Sequence, residues 1–335
     1  MRGKVNLAII GGGSWGTALS LLLAPQFQTV RLWMHEADIA RQMKATRETS
    51  LFLPGFRLPE NVSPSSQIAE SLEGAHIVIG VMPSQHARTI YGTMLSHLNP
   101  DSIIVSATKG LETGSLLRMS QVIEQVCRPR FKARVAVLSG PTFAREIAQG
   151  EPAAVVAASQ DLPLAREVQS AFSTPAFRLY TNSDPVGVEI AASLKNVVAI
   201  AAGVCYGLGL GSNVQAALIT RGLAEITRLT VAMGGKPQTL AGLAGLGDLV
   251  LTCSGNLSRN RQVGLELAKG RRLSDILGSM RMVAEGVETC GAAVELGQKF
   301  EVDLPIIQQM HAVLHASKSP REALRDLMER SLKEE

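Results

Sequence analysis

Apolar positions divide the chain into two regimes. In the first half, short apolar runs alternate with stretches of helical period. The runs "KVNLAII" (4–10), "TVRLWM" (29–34), "AHIVIGV" (75–81), "SIIVSAT" (102–108) and "RVAVLSG" (134–140) read as strands. Helices are predicted over 14–25 and 36–47, and from about Gln85 and Ser115. The stretch holding Pro54, Gly55, Pro59 and Pro64 is too rich in breakers to continue either element and reads as a loop. Runs that are apolar throughout and separated by helices predict a parallel sheet covered on both faces. After "EPAAVVAAS" and "FRLYTNS" the pattern changes near residue 183, and only helices and Gly-rich turns are predicted from there to the end. The expected organisation is one α/β domain over 1–183 and one all-α domain over 184–335.

A length of 335 residues suits two domains, and 46% hydrophobic against 19% charged residues excludes wholesale disorder. The net charge of +4 suits anionic ligands but falls short of a nucleic-acid binder, so no nucleic-acid partner is expected. Cys127, Cys205, Cys253 and Cys290 form no closely spaced pair, which suggests neither disulfides nor zinc and fits a reducing cytoplasm. The start resembles a signal peptide, but Gly11, Gly12, Gly13 and Ser14 interrupt its apolar run. Residues 196–220 lack charge, yet their glycines with Asn196, Ser212, Asn213 and Gln215 favour a buried helix, a loop and a second helix over a membrane span. His311 and His315 stand at i, i+4 without a third ligand motif, so no metal is expected.

Candidate chemistry begins at Gly11-x-Gly13-x-x-Gly16, which follows the first strand and opens a helix. That is the context of a dinucleotide fingerprint: a tight turn, close backbone approach to a pyrophosphate, and helix packing on the sheet. The sheet is therefore expected to be of the doubly wound Rossmann type. The second strand ends Trp33-Met34-His35 with no acid to hold a ribose 2′-hydroxyl, and Glu36 comes late. NADP is thus plausible beside NAD. Ligands of such sheets lie beyond the carboxyl ends of the strands, where "MPSQH", "TKGLE" and "SGPTFA" follow, putting Lys109 near the reactive end of a cofactor.

In the second half Lys195 stands in an apolar helix. Glu189, Ser193 and Asn196 share one stripe of that helix, and Lys195 is not on it. Its neighbours Ala191, Ala192, Val198, Ala199 and Ala202 include no acid. Such surroundings disfavour its charged form and would make it a usable proton donor and acceptor. An amine snorkelling to solvent is the plainer alternative. Asp248, after a Gly-rich run, could bond a substrate hydroxyl, hold Lys195 or merely cap a helix. Ser258 can cap a helix running to about Lys269 with Gly270 ending it. Arg259 and Asn260 at that N-terminus form a candidate anion site for a phosphorylated substrate or a 2′-phosphate. Cys253 is either a nucleophile or a buried small hydrophobe.

Taken together, "GGGSWGTALS", "LPG" (53–55), "VMPSQ", "ATKGLE", "LSGPTFA", "ASLKNVVAIAAG", "GLAGLGDLVLTC", "SRNRQVG" and "VAEGV" (283–287) resemble the bacterial-type NAD(P)-dependent glycerol-3-phosphate dehydrogenases. The pieces run in family order from residue 9 to about 290. The resemblance implies reversible reduction of dihydroxyacetone phosphate to sn-glycerol 3-phosphate, feeding phospholipid synthesis, by a homodimer of chains with an N-terminal Rossmann domain and an all-helical C-terminal domain. The cysteines and the interrupted apolar stretches add the expectation of a cytoplasmic protein with no integral membrane association. It also implies a role for each matching residue. Lys195 matches the proton-transferring lysine. Lys109, Gly140, Thr142, Asp248, Ser258, Arg259 and Asn260 match substrate contacts. Ser14, Trp15, His35, Lys109, Ala144, Arg259, Val283 and Glu285 match cofactor contacts, beside the turn glycines. The rival readings are a Rossmann dehydrogenase of another hydroxy acid or of a sugar nucleotide, and a noncatalytic NADPH-binding sensor.

Overall fold

The computed structural model describes residues 5–49, 51–280, 283–332 and 334. Its chain forms two compact units: one of residues 1–109 and 117–185, the other of 110–116 and 186–335.

The first unit is built on one sheet whose strands are β1 (Asn6–Ile10), β2 (Thr29–Trp33), β3 (Val62–Ser65), β4 (Ile77–Gly80), β5 (Ile103–Ser106), β6 (Arg134–Ser139), β7 (Ala153–Ala158) and β8 (Phe177–Asn182). Their spatial order is β3-β2-β1-β4-β5-β6-β7-β8. Neighbours are parallel except β6 and β7, which run antiparallel. The first six strands thus follow the doubly wound order, with the reversal point beside β1. Alternate residues of β1 feed opposite cores. Leu7 and Ile9 join Leu32, Ile79 and Val105, whereas Ala8 and Ile10 join Val78, Ile104 and Tyr91. A strand buried on both faces has no polar side to show, which is why its sequence reads as an unbroken apolar run.

The predicted helix over 14–25 is Ser14–Leu23 and that over 36–47 is Ala37–Thr46. The one from Gln85 is a 3₁₀ turn, Ser84–His86, followed by the helix Ala87–Met94. The helix expected from Ser115 starts at Met119, because Leu116 turns the chain left-handed at φ 59°. The predicted proline-rich loop contains the strand β3 and leads to the short helix Ile68–Leu72. Pro64 lies within β3, opposite Leu32. A proline is tolerated there because β3 is the edge of the sheet, where a missing N–H leaves no partner unpaired.

The second unit is helical. Its central helix, Pro185–Gly207, is long and apolar enough to cross a membrane, yet the whole of that apolar stretch is buried inside the protein. Around it the chain forms Ser212–Ala232, Asp248–Ser254, Arg259–Ala268, Glu285–Lys299, Pro305–His315 and Pro320–Met328, among shorter turns. The central helix meets Arg259–Ala268 backbone to backbone. A β-carbon on Gly203 would lie 1.9 Å from the Arg261 carbonyl oxygen, and one on Gly264 would lie 1.9 Å from that of Ile200. Paired glycines permit this approach and fix the start of the Arg259 helix against the helix that carries Lys195.

Candidate functional site

In the sheet unit, Gly11 leaves β1 with φ +122°, and a β-carbon there would come within 2.8 Å of the Val81 carbonyl carbon. A β-carbon on Gly16 would lie 1.9 Å from the Gly11 carbonyl oxygen. Both positions are closed to side chains, so the turn passes directly from strand into the helix Ser14–Leu23. Gly13, by contrast, has nothing within 4 Å of where its β-carbon would stand, and as N-cap it supplies no side chain to the first-turn N–H groups. The indole N–H of Trp15 is buried without an acceptor among the described residues. An uncapped helix start, open space above it and an orphaned donor beside it fit an anionic dinucleotide.

Ser14 Oγ donates to the Phe52 carbonyl at 2.5 Å, tying the residue just before the "LPG" segment to this turn. His35 follows β2, exposed, with its ring 6.2 Å from Trp33. Ala144 starts the helix Ala144–Ala148, which packs against Ser14–Leu23. Beyond β5 and β6, Lys109 Nζ and Thr142 Oγ1 both donate to the Gly140 carbonyl, each at 3.2 Å. The structure therefore brings Lys109, Gly140 and Thr142 to one point.

In the helical unit, Lys195 does not snorkel, since only 6% of its side chain is exposed. Its Nζ donates to Asp248 Oδ1 at 2.6 Å and to Thr252 Oγ1 at 2.7 Å. Asp248 is 1% exposed and opens the helix Asp248–Ser254 directly after a π-helical turn, Leu243–Gly247. Its carboxylate faces the lysine. Thr252 lies one turn later on the same face and donates to the Asp248 carbonyl. Thr252 is the member of this trio that the sequence reading misses, and its signal was the i, i+4 spacing from Asp248. A buried ammonium is thus matched by a buried carboxylate and held by a hydroxyl. The stripe of Glu189, Ser193 and Asn196 is buried as well, and Ser193 bonds back to the Glu189 carbonyl. Burial pushes the neighbouring Cys253 thiol up to about 12, so it carries no thiolate at neutral pH.

Ser258 caps the helix Arg259–Ala268, accepting from the Arg261 N–H at 3.2 Å. The helix ends at Lys269 with Gly270 at φ +83°. Arg261 is engaged elsewhere, lying 4.4 Å over the Tyr206 ring and bonding Asn256 Oδ1. Desolvation by surrounding protein lowers the Arg259 guanidinium from its ordinary value, and the Glu285 carboxylate opposes that shift. The residue still keeps accessible surface and remains a cation. Asn260 Oδ1 accepts from the Gly286 N–H at 3.0 Å. Glu285 opens the helix Glu285–Lys299, and Val283 just before it is 46% exposed. Among the described residues no three of His, Cys, Asp and Glu gather as metal ligands, and His311 stacks against His315 at 4.9 Å.

A doubly wound dinucleotide sheet joined to a helical unit that buries a lysine–aspartate pair defines the class of Rossmann-type dehydrogenases. The chain belongs to the NAD-dependent glycerol-3-phosphate dehydrogenase family, whose N-terminal model matches residues 6–165 and whose C-terminal model matches residues 184–325. It is 56% identical to the glycerol-3-phosphate dehydrogenase [NAD(P)+] of Koribacter versatilis, with 97% of each chain covered. It is 52% identical to that of Geobacter sp. (strain M21), with 98% of each covered. Among solved structures, the glycerol-3-phosphate dehydrogenase of Coxiella burnetii superposes with a TM-score of 0.92 at 39% identity, over 98% of this chain and 99% of that one.

Proposed function

We propose that this chain interconverts dihydroxyacetone phosphate and sn-glycerol 3-phosphate with NADP or NAD as cofactor, supplying glycerol 3-phosphate for phospholipid synthesis. The observation that carries the reading is the Lys195 ammonium, 2.6 Å from Asp248 and 2.7 Å from Thr252. It is a general acid with its counter-ion built in. When bound, the nicotinamide supplies the hydride in one direction and accepts it in the other. The Gly11–Gly16 turn, Ser14, Trp15, His35 and Ala144 hold the cofactor from the sheet unit, with Lys109, Arg259, Val283 and Glu285 as further contacts.

Lys195 gives its proton to the substrate oxygen as negative charge develops there, and takes one back in the reverse direction. Asp248 balances the ammonium, and Thr252 fixes the direction in which Nζ points. Arg259, Asn260 and the first-turn N–H groups behind Ser258 receive the substrate phosphate, combining a bidentate cation with a helix N-terminus. Lys109, Gly140 and Thr142 contact the substrate as one cluster. The high Cys253 value speaks against oxidation through a cysteine-bound intermediate. Four buried, unpaired cysteines favour a reducing cytoplasm. A homodimer that binds no nucleic acid completes the reading.

The test is oxidation of NADPH, followed by absorbance, with dihydroxyacetone phosphate beside unphosphorylated dihydroxyacetone. Turnover should be confined to the phosphorylated ketone. Equal rates on both would remove the phosphate site, and cofactor binding with no turnover of either would favour the sensor.

A further inference from the structure

We propose that Gly286 is a positioning residue that sets the orientation of the Asn260 amide and so turns its NH₂ group toward the substrate phosphate. The proposal rests on the reading of Asn260 as a phosphate contact.

The two ends of an asparagine amide differ in chemistry, and which end faces a ligand is decided by what holds the other. Here the holder is a backbone N–H, which can only donate. Gly286 N–H lies 3.0 Å from the amide oxygen of Asn260, so that oxygen is the inward end. The side chain belongs to a residue only 8% exposed, and among the described residues its Nδ2 finds no acceptor. A largely buried side chain with its oxygen bonded is left only its NH₂ group, which is not itself buried, with which to donate to an anion. Were the amide reversed, an acceptor oxygen would repel the phosphate and an N–H would face an N–H.

Only glycine permits this arrangement. A β-carbon on residue 286 would lie 2.8 Å from Asn260 Oδ1 and 2.7 Å from the carbonyl oxygen of Asn196, closer than such atoms come in real structures. The Asn196 carbonyl belongs to a buried central helix and is the less able of the two to move; the Asn260 side chain can rotate away. Gly286 therefore touches the helix of Lys195, the start of the Arg259 helix and the start of its own helix at one junction. It also follows Glu285 directly, which joins the phosphate donor to a segment read as a cofactor contact.

Four full-length proteins test this: wild type, Asn260→Ala, Gly286→Ala and the double variant, each assayed for KM toward dihydroxyacetone phosphate at saturating NADPH. Asn260→Ala should raise KM about 10- to 100-fold, as loss of a hydrogen bond to a charged group does. Gly286→Ala should raise it as well, and the loss in the double variant should fall short of the product of the two single losses, since the contact with Asn260 can be lost only once. If Asn260→Ala leaves KM unchanged, the phosphate reading of Asn260 falls and takes this proposal with it. If Asn260→Ala raises KM while Gly286→Ala does not, or the two losses multiply, only the role of Gly286 is overturned. Should Gly286→Ala not fold, the backbone amide resonance of Gly286 answers instead. It should shift when sn-glycerol 3-phosphate is added to the wild type and not when it is added to Asn260→Ala; no shift in the first, or a shift in both, overturns the proposal.

Discussion

At Lys195 the protein buries an ammonium and pairs it with the buried Asp248 carboxylate, so the stability of the site and its chemistry depend on the same pair. Removing one partner strands the other charge in a low-dielectric interior, whereas replacing both by apolar side chains can be nearly neutral. Lys195→Met should therefore lower unfolding stability by about 3–5 kcal/mol, and Lys195→Met with Asp248→Leu should recover most of it. Both proteins should turn over about 10²- to 10⁴-fold more slowly, the loss expected when a positioned acid is removed. Denaturant titrations set beside the NADPH assay check both statements. Equal destabilisation by the single and double variants would mean that the pair does not carry its own charge balance. In the sequence Lys195 is visible as an anomaly, a cation among alanines and valines. Its partner is not, because 53 residues separate it from Asp248 and only the packing of two helices brings them together. Asp248 could be named as one of three uses of a carboxylate, and the choice among them needed the fold.

Helix ends were more legible than helix partners. Ser258 and Gly270 mark the two ends of their helix in the sequence, because capping chemistry is local. The start of the helix Pro305–His315 has no such local signal, since its N-cap Leu304 offers no side chain. Its first-turn N–H groups at Ile306 and Ile307 are instead bonded, at 2.8 and 3.3 Å, by the carboxylate of Glu225 from the helix Ser212–Ala232. Burial pushes the Glu225 carboxyl up to about 7, while those two N–H bonds and Arg228 pull it down and Asp303 raises it. Arg228 is itself bonded to the Asp303 carbonyl, and Arg330 pairs with the Asp303 carboxylate. For an acid whose folded value lies above its unfolded value of 4.5, the folded state binds more protons between the two. Stability should then fall as pH rises from about 4.5 to about 7, by on the order of 3 kcal/mol, and change no further above that. Glu225→Gln keeps an acceptor for one of the two N–H groups, sets an NH₂ against the other and removes the titration. The variant should lose this slope, as unfolding free energies measured across the interval for both proteins would show. Parallel pH profiles would show that Glu225 does not titrate there.

At the scale of the whole molecule, alternating strands and helices announce the sheet and their cessation announces the helical unit. Two features escape that logic. β7 is an apolar run like those before it and β8 alternates buried and exposed positions, yet neither pattern records that the two lie antiparallel to the rest. Nor does the chain part at a single cut. Residues 110–116 leave the sheet unit after Lys109 and are grouped with the helical unit, where Leu111 is wholly buried in the core that also holds Ile190, Val198 and Ile200. Seven residues following a strand carry no periodicity by which to assign them. Their placement has an energetic consequence, because the chain enters the helical core once before residue 183 and again after it. Leu111→Ala should leave a cavity in the helical unit and cost about 2–5 kcal/mol. Hydrogen exchange locates that loss: protection should drop in the helix Pro185–Gly207 and its neighbours, while the amides of β1, β4 and β5 keep theirs. If protection fell instead in the strands, with the helices unchanged, Leu111 would belong energetically to the sheet. A boundary near residue 183 would then describe the folding units better than the contacts do.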